Sequence, residues 1–319
     1  MKNYFIIILL LLSSLQADLV ELYRTKGIQS VQQYLETQLT KKEYWNKYLE
    51  NKDVSQGYYE TIKYILVCQK DTNNLKVYEK DTNKFKKLFE HTVLVGKNSG
   101  DKKTEGDYKT PTGTYDLVSK VKKLDPFYGP IAMVTSYPNL YDKIQKRNGH
   151  GIWIHGVPKN ETRDDFTKGC IALQNSDIKS LDEQINLNKS ILIISDNNFD
   201  SVSKEDISTL LSEIYLWKQS WKESKLKKYL EFYDKSFKRN NGMNFKQFKN
   251  YKKQIFNKKE NKKIILSKIN IMPYPNNQNK KMFRIVMDEN YKTAHYQFNG
   301  KKELFIELIN DKMKILTES

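Results

Sequence analysis

The sequence predicts a mainly-β domain followed by an α+β domain, with a short helical segment ahead of both. Short β-type runs separated by turn residues fill 60–196. The polar stretch Asp196-Asn197-Asn198-Phe199-Asp200-Ser201 then breaks the pattern and reads as a linker, 197–203. Over 204–319, apolar residues recur first at helical spacing and afterwards in strand-like runs, the order of an α+β domain. A chain of 319 residues suits two domains at roughly 100–200 residues each.

At the N-terminus, Lys2 precedes an unbroken apolar run from Tyr4 to Leu12, followed by Ser13, Ser14, Leu15, Gln16 and Ala17. A charged start, a short apolar stretch and a small residue before Asp18 form a secretory pattern, so 1–17 is expected to be a signal peptide cleaved near Ala17. The run is too short for a bilayer span, which needs ~20 residues. The expected destination is the periplasm. Residues 18–59 place Leu19, Leu22 and Tyr23, then Val31, Tyr34 and Leu35, then Tyr44, Trp45 and Tyr48 at helical spacing. This lead-in either pairs two copies of the chain as a homodimer or packs on its own domains.

Strands are expected at Tyr64–Cys68, Leu75–Tyr78, Thr92–Val95, Gly113–Val118, Ile131–Thr135, Gly151–His155 and Ser190–Ile194. Asp71-Thr72-Asn73-Asn74 and Asp81-Thr82-Asn83 read as turns. One helix follows Cys170, with Ile178, Leu181 and Ile185 on one face and Asn175 or Ser176 as N-cap. Past the linker, three helical stretches (Ile207 to Trp221, Leu226 to Tyr233, Phe245 to Ile255) precede strands at Ile264–Ile271, Phe283–Met287, Ala294–Phe298, Leu304–Leu308 and Met313–Leu316.

The net charge is +17 and uneven: 29 Lys/Arg against 25 Asp/Glu up to residue 200, and 26 against 13 beyond it. A basic half points to nucleic acid, an anionic surface or acidic ligands. Export removes nucleic acid, leaving an anionic wall, a membrane surface or a partner protein for the C-terminal domain. Runs such as Lys252-Lys253 and Lys262-Lys263 read as solvated faces. Two cysteines and four histidines exclude a disulfide framework and a four-thiolate zinc site, and no H-E-x-x-H or C-x-x-C spacing occurs. The chemistry is expected to need neither metal nor cofactor.

That chemistry concentrates between His150 and Cys170. The sequence runs His150-Gly151-Ile152-Trp153-Ile154-His155-Gly156, then ten residues, then Thr167-Lys168-Gly169-Cys170-Ile171-Ala172-Leu173. A strand delivering His155, followed by a polar loop that doubles back, brings an imidazole to a thiol. A histidine within reach of a cysteine can take its proton and give a nucleophilic thiolate. Gly169 permits an unusual backbone, and the N–H groups of Gly169 and Cys170 are candidates for an oxyanion hole. Cys68 ends the apolar run Tyr64-Ile65-Leu66-Val67 and reads as core, although an oxidising compartment would also allow it to pair with Cys170. On spacing alone, a chance pairing of a turn cysteine and a strand-end histidine stays open.

His155-Gly156 followed by Thr167-x-Gly169-Cys170 resembles the H-G…[S/T]-x-G-C signature of the L,D-transpeptidase catalytic domain (YkuD-type), and Lys109-Thr110-Pro111-Thr112-Gly113 resembles that family's upstream K-T-P-x-G segment. The resemblance implies an L,D-transpeptidase-like sandwich, with Cys170 as nucleophile, His155 as base and the Gly156 carbonyl orienting the histidine. It implies peptidoglycan stem peptides as substrates. Family transpeptidases commonly carry Arg two residues after the cysteine, where this chain has Ala172. The layout of leader, helical segment, catalytic domain and α+β domain is similar to the cell-shape L,D-carboxypeptidases of helical Gram-negative bacteria, which trim tetrapeptides to tripeptides. The C-terminal pattern, Ala294-x-Tyr296-x-Phe298 to Lys312-x-Lys314-Ile315, resembles NTF2-like cone domains. The alternatives are an L,D-transpeptidase forming 3-3 crosslinks and a non-catalytic wall-binding module.

Candidate substrate contacts are His150, Lys109, Tyr137, Thr167 and Lys168. Tyr128, Arg163, Asp164 and Asp165 lie in the neighbouring loops. His91 and His295 read as surface or satisfied strand residues.

Overall fold

The computed structural model describes residues 2–158, 164–197 and 201–319, with side chains from residue 18 onward. Arg163 and linker residues 198–200 fall outside the described residues. Helix α1 (Lys2–Leu39) bends at Gly27, whose φ is +75°, and α2 (Lys42–Leu49) follows. Among the described residues, no helix is long and apolar enough to cross a membrane. After β1 (Tyr58–Tyr59) come β2 (Tyr64–Gln69), β3 (Asn74–Lys80), β4 (Phe85–Thr92), β5 (Gly113–Val121), β6 (Ala132–Thr135), α3 (Leu140–Ile144), β7 (Trp153–His155), β8 (Ile171–Ala172), α4 (Asn175–Gln184) and β9 (Ser190–Ser195). The second domain is α5 (Lys204–Lys222), α6 (Leu226–Glu231), α7 (Phe245–Asn257), β10 (Lys263–Pro273), β11 (Met282–Lys292), β12 (Gln297–Ile309) and β13 (Lys312–Glu318).

The first domain is built on an eight-stranded mixed sheet in the order β4-β3-β2-β9-β5-β6-β7-β8. Its centre, β2 and β9, runs parallel, with Leu66 opposite Leu192. Both strands are buried on two sides, which is why their sequences are continuous apolar runs. Leu66, Cys68 and Leu192 face Ile178 and Leu181 of α4. Ile65, Val67, Ile191 and Ile193 face the other way and meet Tyr59 and Met272. Cys68 is therefore core and free, and burial pushes its thiol up to about 12.

The helical lead-in belongs to the far domain. Trp45, Leu49 and Val54 share a core with Ile207, Trp217 and Phe248, and β1 pairs with β10 at the edge of the five-stranded antiparallel sheet β1-β10-β11-β12-β13. The domains are also bolted together directly. Arg284 Nη2 and Nη1 donate to the two carboxylate oxygens of Asp116 at 2.7 and 3.1 Å, and Thr114 Oγ1 donates to the Pro273 carbonyl at 2.5 Å.

Several elements differ from expectation. The strand expected at Thr92–Val95 begins at Phe85 and ends at Thr92, because β4 is a half-exposed edge whose Lys86, Lys87 and Glu90 hide the pattern. The strands expected at 294–298 and 304–308 are one, β12: Asn299-Gly300 stays in register opposite Asn290 and Glu289 instead of turning. The Phe298 ring lies over Gly300, where a Cβ would meet it at 2.6 Å. Strand β7 starts only at Trp153, since Gly149 and Gly151 have φ of +91° and +71°. The cap of α4 is Gln174, which leaves the Asn175 side chain for another use. Lys252 and Lys262 are buried rather than solvated, the Lys252 ammonium over several aromatic rings and that of Lys262 over Phe256.

Candidate active site

Strands β7 and β8 run parallel, with Ile154 opposite Ile171 and His155 opposite Ala172. The Leu173 N–H closes this pairing on the His155 carbonyl at 2.8 Å. Cys170 lies immediately before β8, two residues ahead of the Ala172 that pairs with His155, and Gly156 immediately follows β7. The fold thus brings His155, Gly156 and Cys170 onto or directly beside two neighbouring strands at the end of the sheet.

His155 is 1% exposed. Its Nδ1 lies 2.6 Å from the carbonyl oxygen of the next residue, Gly156. A carbonyl only accepts, so Nδ1 carries the hydrogen; in the neutral imidazole Nε2 then keeps its lone pair, the tautomer a general base requires. The Tyr128 ring meets the imidazole at 5.1 Å and 86° and also packs on Trp153 at 5.2 Å. The tyrosine of the Pro126 to Pro138 loop is thereby part of the site wall. Cys170 is partly exposed, and its thiol donates to the Gly151 carbonyl at 3.3 Å.

The turn that presents Cys170 is held from inside. Thr167 Oγ1 donates to the Cys170 carbonyl at 2.7 Å and accepts from the Gly169 N–H at 3.0 Å. The Thr167 backbone is stitched to Val95 and Lys97 at 2.7 and 3.1 Å. Thr167, an expected substrate contact, is 3% exposed with its hydroxyl engaged inside the turn, and the Gly169 N–H, an expected oxyanion donor, donates to that hydroxyl. Gly169 itself has φ of +134°, and a Cβ there would lie 2.8 Å from the Lys109 carbonyl. This is why glycine precedes the cysteine.

That close approach explains the K-T-P-x-G segment. Its Lys109 backbone roofs the cysteine turn, and the loop before it is organised by one carboxylate. Asp107 accepts from Lys102 Nζ at 2.7 Å and from the N–H groups of Lys103, Thr104 and Lys109 at 2.8, 3.1 and 3.1 Å. Partial burial pulls its pKa upward, but these donors outweigh it and hold the carboxyl at about 2. Beneath the loop, the half-buried Lys70 ammonium donates to the carbonyls of Gly100 and Thr110, each at 2.8 Å.

The remaining candidates scatter. Tyr137, an expected substrate contact, is packed in the core: its hydroxyl donates to the Asn148 carbonyl at 3.0 Å and its ring packs edge-on against Tyr115. The His150 side chain is 82% exposed, 3.8 Å from Glu105, one residue from the carbonyl that accepts the Cys170 thiol. Lys168 is exposed and Lys109 half-buried, both on segments bordering Gly169. Asp164 and Asp165 are exposed. His91 pairs with Asp177 at 3.1 Å, and His295 is exposed. Ala172 is 1% exposed, its backbone paired with Leu94 on both sides at 2.8 and 2.9 Å. Among the described residues, no three His, Cys, Asp or Glu side chains gather as a metal site requires.

Asn175 was legible only as a helix start. Its amide instead grips Val157, accepting from the N–H at 3.0 Å and donating to the carbonyl at 2.8 Å. Its position five residues after Cys170, at the head of an amphipathic helix, was the only available signal.

Two sequence families match the chain. The L,D-transpeptidase catalytic domain (YkuD) covers residues 63–193 and the Cds6 C-terminal NTF2-like domain covers 209–319. Among solved structures, the helical cell shape determining protein Pgp2 from Campylobacter jejuni is 42% identical over 88% of this chain and 99% of that chain, with a TM-score of 0.83. A single-substitution variant of it gives 41% and 0.85. Bd1075 of Bdellovibrio bacteriovorus is 28% identical over 84% of this chain and 96% of that chain, with a TM-score of 0.67. YafK of Escherichia coli (strain K12), provisionally named an L,D-transpeptidase, is 27% identical over 113 residues, 35% of this chain and only 43% of YafK. With Pgp2 matched almost end to end, the chain belongs to the family that joins an L,D-transpeptidase catalytic domain to a Cds6-type NTF2-like domain.

Proposed function

We propose that the protein is an exported cysteine L,D-carboxypeptidase that removes the terminal D-Ala from peptidoglycan tetrapeptides and so contributes to cell shape. The observation that carries this reading is the buried His155, with Nδ1 hydrogen-bonded to the Gly156 carbonyl, on the strand paired with the one that the partly exposed Cys170 immediately precedes. Nε2 takes the thiol proton and the thiolate attacks the carbonyl joining the diamino acid to D-Ala. The tetrahedral oxyanion collapses, the C–N bond breaks, and the imidazolium returns its proton to the leaving amine. Water, deprotonated by Nε2, then hydrolyses the thioester and regenerates the thiol.

Hydrolysis over crosslinking is supported by Ala172, small and buried where family transpeptidases commonly carry Arg, and by the likeness to a cell-shape protein over most of the chain. The positive excess beyond residue 200 supports docking of the accessory domain on an anionic wall or membrane. Val20, Tyr23 and Ile28, exposed on α1, support pairing of two copies through that arm. The secretory pattern at the N-terminus supports a periplasmic location.

Purified protein incubated with defined muropeptides and followed by mass spectrometry tests the reading. Wild type is expected to convert monomeric tetrapeptide to tripeptide, while Cys170→Ala loses at least ~10³-fold in rate. A new dimer with release of alanine would make the enzyme a transpeptidase. Absence of any Cys170-dependent product would sink both.

A further inference from the structure

The hydrogen bond that sets the His155 tautomer comes from a peptide carbonyl, and a peptide carbonyl is only as well aimed as its plane. The Gly156 C=O shares one rigid plane with the Val157 N–H. Asn175 Oδ1 accepts that N–H at 3.0 Å while Asn175 Nδ2 donates to the Val157 carbonyl at 2.8 Å. The other side of Gly156 is held too, its N–H donating to the Tyr128 carbonyl at 3.0 Å. Packing leaves no room for this peptide to turn. A Cβ on Gly156 would fall on Asn175 Oδ1 and lie 2.9 Å from the Pro130 ring, and a Cβ on Gly129 would lie 2.7 Å from Gly156 Cα. An N–H that donates also polarises the carbonyl of its own peptide, strengthening it as an acceptor for Nδ1.

We propose that Asn175 is a positioning residue for the dyad: by fixing the Gly156–Val157 peptide plane, it holds His155 in the tautomer that leaves Nε2 to take the Cys170 proton. Asn175 touches neither substrate nor thiol in this role. The inference rests on the dyad reading above, and the two fail separately in the following experiment.

The full chain is labelled with 15N-histidine in a Cys170→Ala background, and the His155 ring signals are assigned by their loss in His155→Gln. At a pH where the imidazole is neutral, the parent is expected to show a protonated Nδ1 and a bare Nε2. Asn175→Ala should shift the ring towards the Nε2–H form or a mixture. In the Cys170-containing enzyme it should lower kcat/KM by on the order of 10–100-fold, the scale found when the group behind a functional histidine is removed. An unchanged Nδ1–H signature in Asn175→Ala overturns the proposal. Should that variant not fold, Asn175→Asp decides: it keeps an acceptor for the Val157 N–H, so retention of the Nδ1–H form supports the proposal and its loss overturns it. The dyad is read independently from the pH profile of Cys170 alkylation by iodoacetamide. Identical profiles for wild type and His155→Ala would remove the dyad, whatever the tautomer result.

Discussion

The candidate active site and the interior of the C-terminal domain bury polar groups in different settings. The described contacts of His155 are the Gly156 carbonyl on one nitrogen and the Tyr128 ring on its face, with Asn175 gripping the peptide beyond. The accessory domain buries ions. Lys302 Nζ meets Glu318 at 3.0 Å, and the Lys252 ammonium lies 5.0 to 5.2 Å over the rings of Trp221, Tyr229 and Phe248. On the proposed dyad the difference has a functional reason. A carbonyl selects a tautomer without holding a proton against its departure, whereas a buried carboxylate would stabilise the imidazolium. Where no proton has to move, fixed charges define a rigid interior at the cost of desolvating them.

Between the two regions sits a third arrangement that tests this contrast. Arg147 bridges Asp101 and Asp142, donating to Asp142 at 2.8 Å, and Asn139 carries the contact to Tyr274 of the other domain at 3.2 Å. Burial outweighs the attraction of Arg147 and pushes Asp142 up to about 6. A carboxyl whose folded pKa is raised contributes most below its unfolded pKa, near 3.8. That contribution fades as pH rises through about 6. Arg147→Met strands two buried carboxylates and is expected to cost about 3–5 kcal/mol, the largest stability effect among these variants. The deficit should be larger at pH 7.5 than at pH 5 by urea unfolding. An equal deficit at both would mean that Arg147 acts through packing.

A smaller effect probes the dipole-held side. Thr167→Val keeps shape but removes the hydroxyl linking Gly169 to Cys170, and should cost about 1–3 kcal/mol. Misplacement of the cysteine should lower turnover by ~10-fold or more, and Thr167→Ser should restore both bonds and most of the rate. A fully active Thr167→Val would show that the turn holds itself.

The mildest test lies in the cone. Burial, opposed by Glu318, brings Lys252 down to about 8. A lysine depressed on folding penalises the folded state at neutral pH, and the penalty lifts as pH rises from about 8 towards 10.5. Wild type should therefore gain stability relative to Lys252→Met across that window, measured by denaturant unfolding. Parallel curves would mean that the rings and Glu318 compensate the ammonium fully.

What could be read in advance follows from where residues lie. Strands β2 and β9 were visible because both their faces are buried, and a short unbroken apolar run between turns fits a central strand better than any half-wet element. The helices α5 and α7 were visible because their apolar residues recur at helical spacing, although α7 buries one stripe while α5 is buried all round from Asp206 to Ile214. Strand β4 was not, because an edge strand with a wet face looks like a charged loop. Strand β12 was split because Asn299-Gly300 has turn composition, and only pairing with Glu289 and Asn290 keeps it extended.

The sequence by itself determined which residues are candidates for the site, since a thiol and an imidazole beside glycines in H-G and T-x-G-C leave few chemistries. It also determined the order of the domains, through a change of hydrophobic period across a polar break. Only the tertiary structure decided how those residues are held: that the Thr167 hydroxyl takes the Gly169 N–H, that Lys109 roofs the cysteine turn, and that Asn175 clamps the peptide beyond His155. Each of these is a hydrogen bond or close contact between segments that folding brings together. Composition and spacing record which groups a chain possesses, and pairing in space decides which of them are already occupied.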